Sequence, residues 1–146
     1  MVDKATGSAP VWFWLAAAAG LAWNVFGIVQ FLSTTGVPVD ALVKGGMSQE
    51  QAEFYFKLPI LLHVFFAVGV FGGALGCILL GLRKRVASTV LVVSLVAYVI
   101  LFAMDAALGV FTVFGASQVV ILSTVVLVAA ALCWLAVKTQ QRGILR

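Results

Sequence analysis

Four apolar stretches dominate the chain, at 11–32, 58–82, 86–109 and 119–137. Each has the length a helix needs to cross a bilayer, about 20 mostly apolar residues. Hydrocarbon offers no partner to a bare backbone N–H or C=O, so stretches of this kind satisfy themselves as helices. Composition agrees: Asp, Glu, Lys and Arg make up 10% of the 146 residues, against roughly 25% in an ordinary soluble domain. That balance excludes a soluble domain and intrinsic disorder, and two cysteines are too few for a disulfide scaffold. The expected fold is all-α: one polytopic membrane domain over 1–146, with four transmembrane helices in an up-down-up-down bundle.

The breaks between the stretches set the topology. The first stretch begins after Asp3 and Lys4 and is longer than the apolar core of a secretory signal, so it reads as a retained span. Pro10 stands where a helix tolerates proline, and Trp12 and Trp14 suit an interfacial aromatic belt. The outer loop, 33–57, carries Gly36, Pro38, Gly45 and Gly46, which is turn chemistry. Inside it, Ser48 and Gln51 have capping-box spacing, which predicts a short amphipathic helix. That helix would bring Phe54, Tyr55 and Phe56 to the membrane surface before Pro59 opens the second span. The basic loop at 83–85 separates the second and third spans, and a turn is required between Gly109 and Gln118. Seven of the nine Lys and Arg residues fall in the N-terminal segment, the 83–85 loop and the C-terminal segment. By the positive-inside rule both termini are cytoplasmic. The net charge of +4 is thus topological and no nucleic-acid partner is expected, because the basic residues lie in short loops without interleaved stacking aromatics.

Few polar residues lie within the spans. In the first, Asn24 shares a stripe with Ala16, Gly20 and Gly27; its amide needs a partner in lipid, either another helix or a solute. In the second, Gly69, Gly72, Gly73 and Gly76 form two overlapping GxxxG pairs. Such a face packs against the chain's own bundle, or docks a second copy or a larger membrane protein. In the third, Asp105 is the one acid within a span, and Ser94, Tyr98 and Thr112 fall on its side of a helical wheel. An intramembrane carboxylate costs about 2.5 to 3.5 kcal/mol at a helix centre. Asp105 is therefore either capped by Tyr98 and drawn outward, or part of a solute or proton site. His63, the single histidine, lies at a depth compatible with Asp105, so the two could pair. Asn24, His63, Tyr98 and Asp105 are the candidate solute or proton site, lining an outer-facing cavity.

Chemistry beyond that has little in the sequence to carry it. One histidine and the isolated Cys77 and Cys133 offer no metal-ligand spacing, and the cysteines read as small buried apolar residues. No nucleophile elbow, phosphate loop or paired carboxylates are present. Neither an enzyme nor a bound cofactor or metal is expected. The two halves of the chain do not repeat, and four spans are few for a private permeation path, so transport would need an oligomer.

The chain resembles a family of short bacterial inner-membrane proteins commonly labelled sugar transporters. The resemblance covers nearly the whole chain. It rests on Trp23-Asn24-Val25-Phe26-Gly27, on Tyr55 and Pro59, on the run Val70-Phe71-Gly72-Gly73-Ala74-Leu75-Gly76-Cys77 leading into Leu82-Arg83-Lys84, and on Gly143-Ile144-Leu145. The chain departs from that family between Gly109 and Gln118, where its connection is shorter and less polar. The resemblance implies a four-span protein of the bacterial inner membrane, transporter-like, moving a polar solute such as a sugar. The alternative is a non-catalytic accessory or scaffold subunit docking through the glycine face of the second helix.

Overall fold

The structure is a computed structural model and describes residues 8–146. Asp3 and Lys4, which entered the readings of the first span and of charge, lie outside the described residues. Seven helices follow in order: α1 (Val11–Thr34), α2 (Val39–Lys44), α3 (Gln49–Phe56), α4 (Ile60–Gly81), α5 (Val86–Ala107), α6 (Val110–Phe114) and α7 (Ala116–Gln141). Four of them, α1, α4, α5 and α7, are long and apolar enough to cross a membrane.

Local chemistry accounts for where these helices begin. Pro10, Pro38 and Pro59 each stand at the N-cap of a helix, with φ between −68 and −62, so the fixed ring angle and missing N–H cost nothing there. Ser48 and Gln51 close the capping box that starts α3, each side chain bonding the other's backbone N–H at 3.1 Å. Between α5 and α7 the chain turns at Gly109 and Gly115, with φ of 82 and 81, a region that side chains with a Cβ avoid. The five-residue α6 lies between them. The apolar pattern alone places a turn there and no helix.

The α4–α5 hairpin is the centre of the bundle. α1 packs on α4, α7 packs on α5, and α1 meets α7 only sparingly. Two apolar clusters fill the interior. One, near the termini, joins Phe13 and Ala17 of α1 to Cys77, Leu80, Ala87, Leu91, Leu132, Ala136 and the tail residues Ile144 and Leu145. The other, towards the connecting loops, gathers Leu62, Val70, Tyr98, Leu101, Val110, Leu122 and Ala129. Large apolar side chains such as Leu15, Phe26, Val29, Phe71, Leu75, Ile121 and Leu127 face outward. In water that surface would be an association liability, whereas lipid tails solvate it without penalty.

The terminal end is pinned by the tail. The Arg146 N–H donates to the Arg83 carbonyl at 2.6 Å, the Arg85 N–H donates to the Arg146 carbonyl at 2.9 Å, and Arg83 Nε donates to the Ile144 carbonyl at 2.9 Å. The basic loop Leu82-Arg83-Lys84 and the tail segment Gly143-Ile144-Leu145 therefore meet in space.

Candidate functional site

Polar side chains of the spans collect at two levels. The first is mid-bundle, where α1, α4 and α5 cross. Four glycines of α4 let the neighbouring helices come close. A Cβ added at Gly73 would stand 2.0 Å from Asn24 Oδ1, one at Gly69 2.5 Å from the Tyr98 ring, one at Gly76 2.5 Å from Leu91 Cδ2, and one at Gly72 3.4 Å from Ser94 Cβ. The glycine face of α4 is thus filled by the chain's own α1 and α5.

Into that space Asn24, 3% exposed, places its amide. Asn24 Nδ2 donates to the Gly20 carbonyl at 2.8 Å, and the Tyr98 hydroxyl donates to Asn24 Oδ1 at 3.2 Å. Ser94 Oγ donates to the Gly69 carbonyl at 2.7 Å. Buried amides and hydroxyls in a low-dielectric interior demand such partners. A crevice beside them, walled by Trp23, Val125, Val128 and Leu132, is too narrow to admit a water molecule. The arrangement is closed, dry and satisfied, which is the signature of helix packing.

The second level lies at the loop end, where the C-terminus of α1, the end of α3, the start of α4, the end of α5 and the start of α7 converge. Tyr55, on α3, is its hub. The Tyr55 hydroxyl donates to Thr34 Oγ1 at 3.1 Å. Its ring meets His63 edge-on at a centroid distance of 5.3 Å and Phe114 at 6.3 Å. Thr35 lies beside the phenol, and the charge of Asp105 reaches it. The Gln118 side chain lies close to the Asp105 carboxyl. Burial holds the Tyr55 phenol above its ordinary value of 10.0, and Asp105 pushes in the same direction, against the hydrogen bond to Thr34 and the nearby Thr35 hydroxyl.

Three buried side-chain atoms here lack a partner of hydrogen-bond geometry: Thr35 Oγ1, His63 Nδ1 and Asp105 Oδ1. Among the described residues no other buried side-chain atom is left in this state. Asp105 is only 4% exposed. An unpartnered buried polar atom costs about 1 to 3 kcal/mol, and more when charged. Native interiors carry few of them, and these three lie around one tyrosine.

The sequence expectation of one cavity lined by Asn24, His63, Tyr98 and Asp105 is therefore corrected. Tyr98 and Asp105 are seven residues apart on α5, about 10 Å at 1.5 Å per residue. Asn24 and Tyr98 bond each other at mid-bundle, while His63 and Asp105 share the loop end. Tyr98 caps Asn24 and not Asp105. Thr112 lies on α6, exposed, and does not extend the α5 stripe. His63 Nδ1 and Asp105 Oδ1 do not bond each other, since each stands unpartnered.

Tyr55, Thr35 and Gln118 were not legible as site residues. Tyr55 reads as an interfacial aromatic and the other two as loop polars. Only the folding-back of α3 onto the bundle end brings them together. Cys77 and Cys133 are buried and free. Among the described residues no three His, Cys, Asp or Glu side chains group as metal ligands. No protein-family model, curated protein or solved structure matches the chain.

Proposed function

We propose that this chain is a small transporter-like protein of the bacterial inner membrane, handling a polar solute through the loop-end cluster of Tyr55, His63, Asp105 and Gln118. One observation carries the reading. The single acid within a span is buried, its Oδ1 is unpartnered, and Tyr55 of α3 and Gln118 of α7 lie near it. A carboxylate retained at that cost in an apolar setting is a functional site by default. With both termini cytoplasmic, the loop end faces outward, and α3 with its Tyr55 side chain covers the approach.

Transport in this reading is the work of a homo-oligomer. α1 and α7 meet too little to enclose a path within one chain, and their exposed apolar faces offer surface to a second copy. The accessory-subunit alternative relied on an open glycine face, and Asn24, Ser94, Tyr98 and Leu91 occupy that face. That contact removes the surface on which the accessory alternative rested.

The test is uptake by proteoliposomes presented with sugars, amino acids and small amines. At least one class should accumulate above empty vesicles, with Asp105→Asn abolishing accumulation at equal protein level. Uptake indistinguishable from empty vesicles for every class, or unchanged in Asp105→Asn, overturns the reading.

A further inference from the structure

The terminal end of the bundle gathers charge of one sign. Gly143, with φ of 73, reverses the chain after α7, and the Ile144 N–H returns to the Thr139 carbonyl at 2.9 Å, as in a helix-ending glycine turn. Ile144 and Leu145 are buried, and the backbone bonds between Arg146 and residues 83 and 85 hold the tail on the α4–α5 loop. A trailing segment would scatter its arginines into solvent; this one seats Arg146 beside the basic loop. The exposed cations of this end are Lys84, Arg85, Lys138, Arg142 and Arg146. The described acids, Asp40, Glu50, Glu53 and Asp105, all lie towards the loop end. Crowding of like charges costs free energy, which an anionic partner offsets.

The face of α7 selects the anion. Trp134, Lys138 and Arg142 are spaced four apart and share one side of the helix, rising about 12 Å at 1.5 Å per residue. Trp134 is 64% exposed, and Lys138 Nζ stands 5.8 Å from its ring centroid. An exposed indole beneath two cations, at the end of a helix long and apolar enough to cross a membrane, matches the order of a leaflet from acyl chain to phosphate. A dissolved anion would meet the cations and leave the indole without a partner.

We infer that this rim docks the headgroups of anionic phospholipids, with Lys138 and Arg142 at the phosphate layer, Trp134 at the top of the acyl chains, and Lys84, Arg85 and Arg146 adding to the field. The positive-inside rule accounts for the side of the membrane on which these charges lie; it does not call for a tail folded against them. The inference is independent of the loop-end reading and of any solute.

The test is native mass spectrometry of the full chain in a neutral detergent, titrated with phosphatidylglycerol and with phosphatidylcholine of the same acyl chains. Phosphatidylglycerol should bind about tenfold tighter, since each Lys or Arg near an anionic surface adds about fivefold. Lys138→Gln combined with Arg142→Gln should remove most of that preference. Lys138→Arg combined with Arg142→Lys keeps both charges and should retain it, which separates loss of charge from loss of fold. Neutralising the loop-end pair, Lys44→Gln with Lys57→Gln, should leave the preference unchanged. Equal binding of the two lipids, a preference that survives neutralisation of Lys138 and Arg142, or one lost in the charge-keeping or the loop-end variant overturns the inference. So does displacement of bound phosphatidylglycerol by inorganic phosphate at an ionic strength matched with chloride, which would assign the cations to dissolved anions.

Discussion

Mid-bundle and loop end hold polar groups of similar kinds, yet they end in opposite states. At mid-bundle, Asn24, Ser94 and Tyr98 spend their donors on Asn24 Oδ1 and on the carbonyls of Gly20 and Gly69, and glycines bring the backbones close enough to leave no room. At the loop end, Thr35, His63 and Asp105 each keep an open atom although five segments crowd around them. A satisfied network fixes helix register, while an open one costs stability.

Substitutions should separate the two. The largest effect is expected at Gly73, where any side chain meets Asn24 Oδ1. Gly73→Val should lower stability by about 3 kcal/mol, the upper range for forcing volume into a packed core, as read from thermal unfolding in detergent. At the loop end the sign reverses. Asp105→Leu removes a buried carboxylate without a cationic partner and should raise stability of the ligand-free protein by about 1 to 2 kcal/mol, while abolishing uptake. If Asp105→Leu destabilises as Gly73→Val does, the loop end is packing of the same kind.

Smaller effects sharpen the contrast. Tyr98→Phe deletes one interhelical hydrogen bond, worth about 0.6 kcal/mol on average in a membrane protein, and should leave uptake intact. In that variant Tyr55 is the one remaining tyrosine of the two in the chain, so its phenol can be followed by absorbance. Its folded value lies above the ordinary 10.0, through burial and then Asp105. The associated stability is complete below the unfolded value and fades as pH rises through the folded one. The folded midpoint should exceed the denatured midpoint, and adding Asp105→Leu should bring it part of the way down.

The hydropathy of the sequence carries the bundle because lipid leaves an apolar stretch of this length no other structure. The capping box at Ser48 and Gln51 carries α3 for an equally local reason. Mid-bundle contacts are half legible: the glycine run and Asn24 each announce close packing, but which helix fills which glycine depends on rotation and register. The loop-end site is the least legible. Asp105 and His63 stand out as rare residues in apolar spans, yet Tyr55, Thr35 and Gln118 look like ordinary interfacial and loop residues. They join the site through the return of α3 and the turn around α6, which involve few residues and weak local signals. A helical wheel also misled, by extending the Asp105 stripe to Thr112 across the break at Gly109.

The most direct test of an open loop end against a closed mid-bundle is thiol accessibility. With Cys77 and Cys133 replaced by alanine, single Asp105→Cys and Ser94→Cys variants would be exposed in native membranes to a charged, water-soluble thiol reagent. Modification at position 105 with none at position 94 is the predicted result. Equal modification at both positions, or protection at 105, would contradict the distinction on which the functional reading stands.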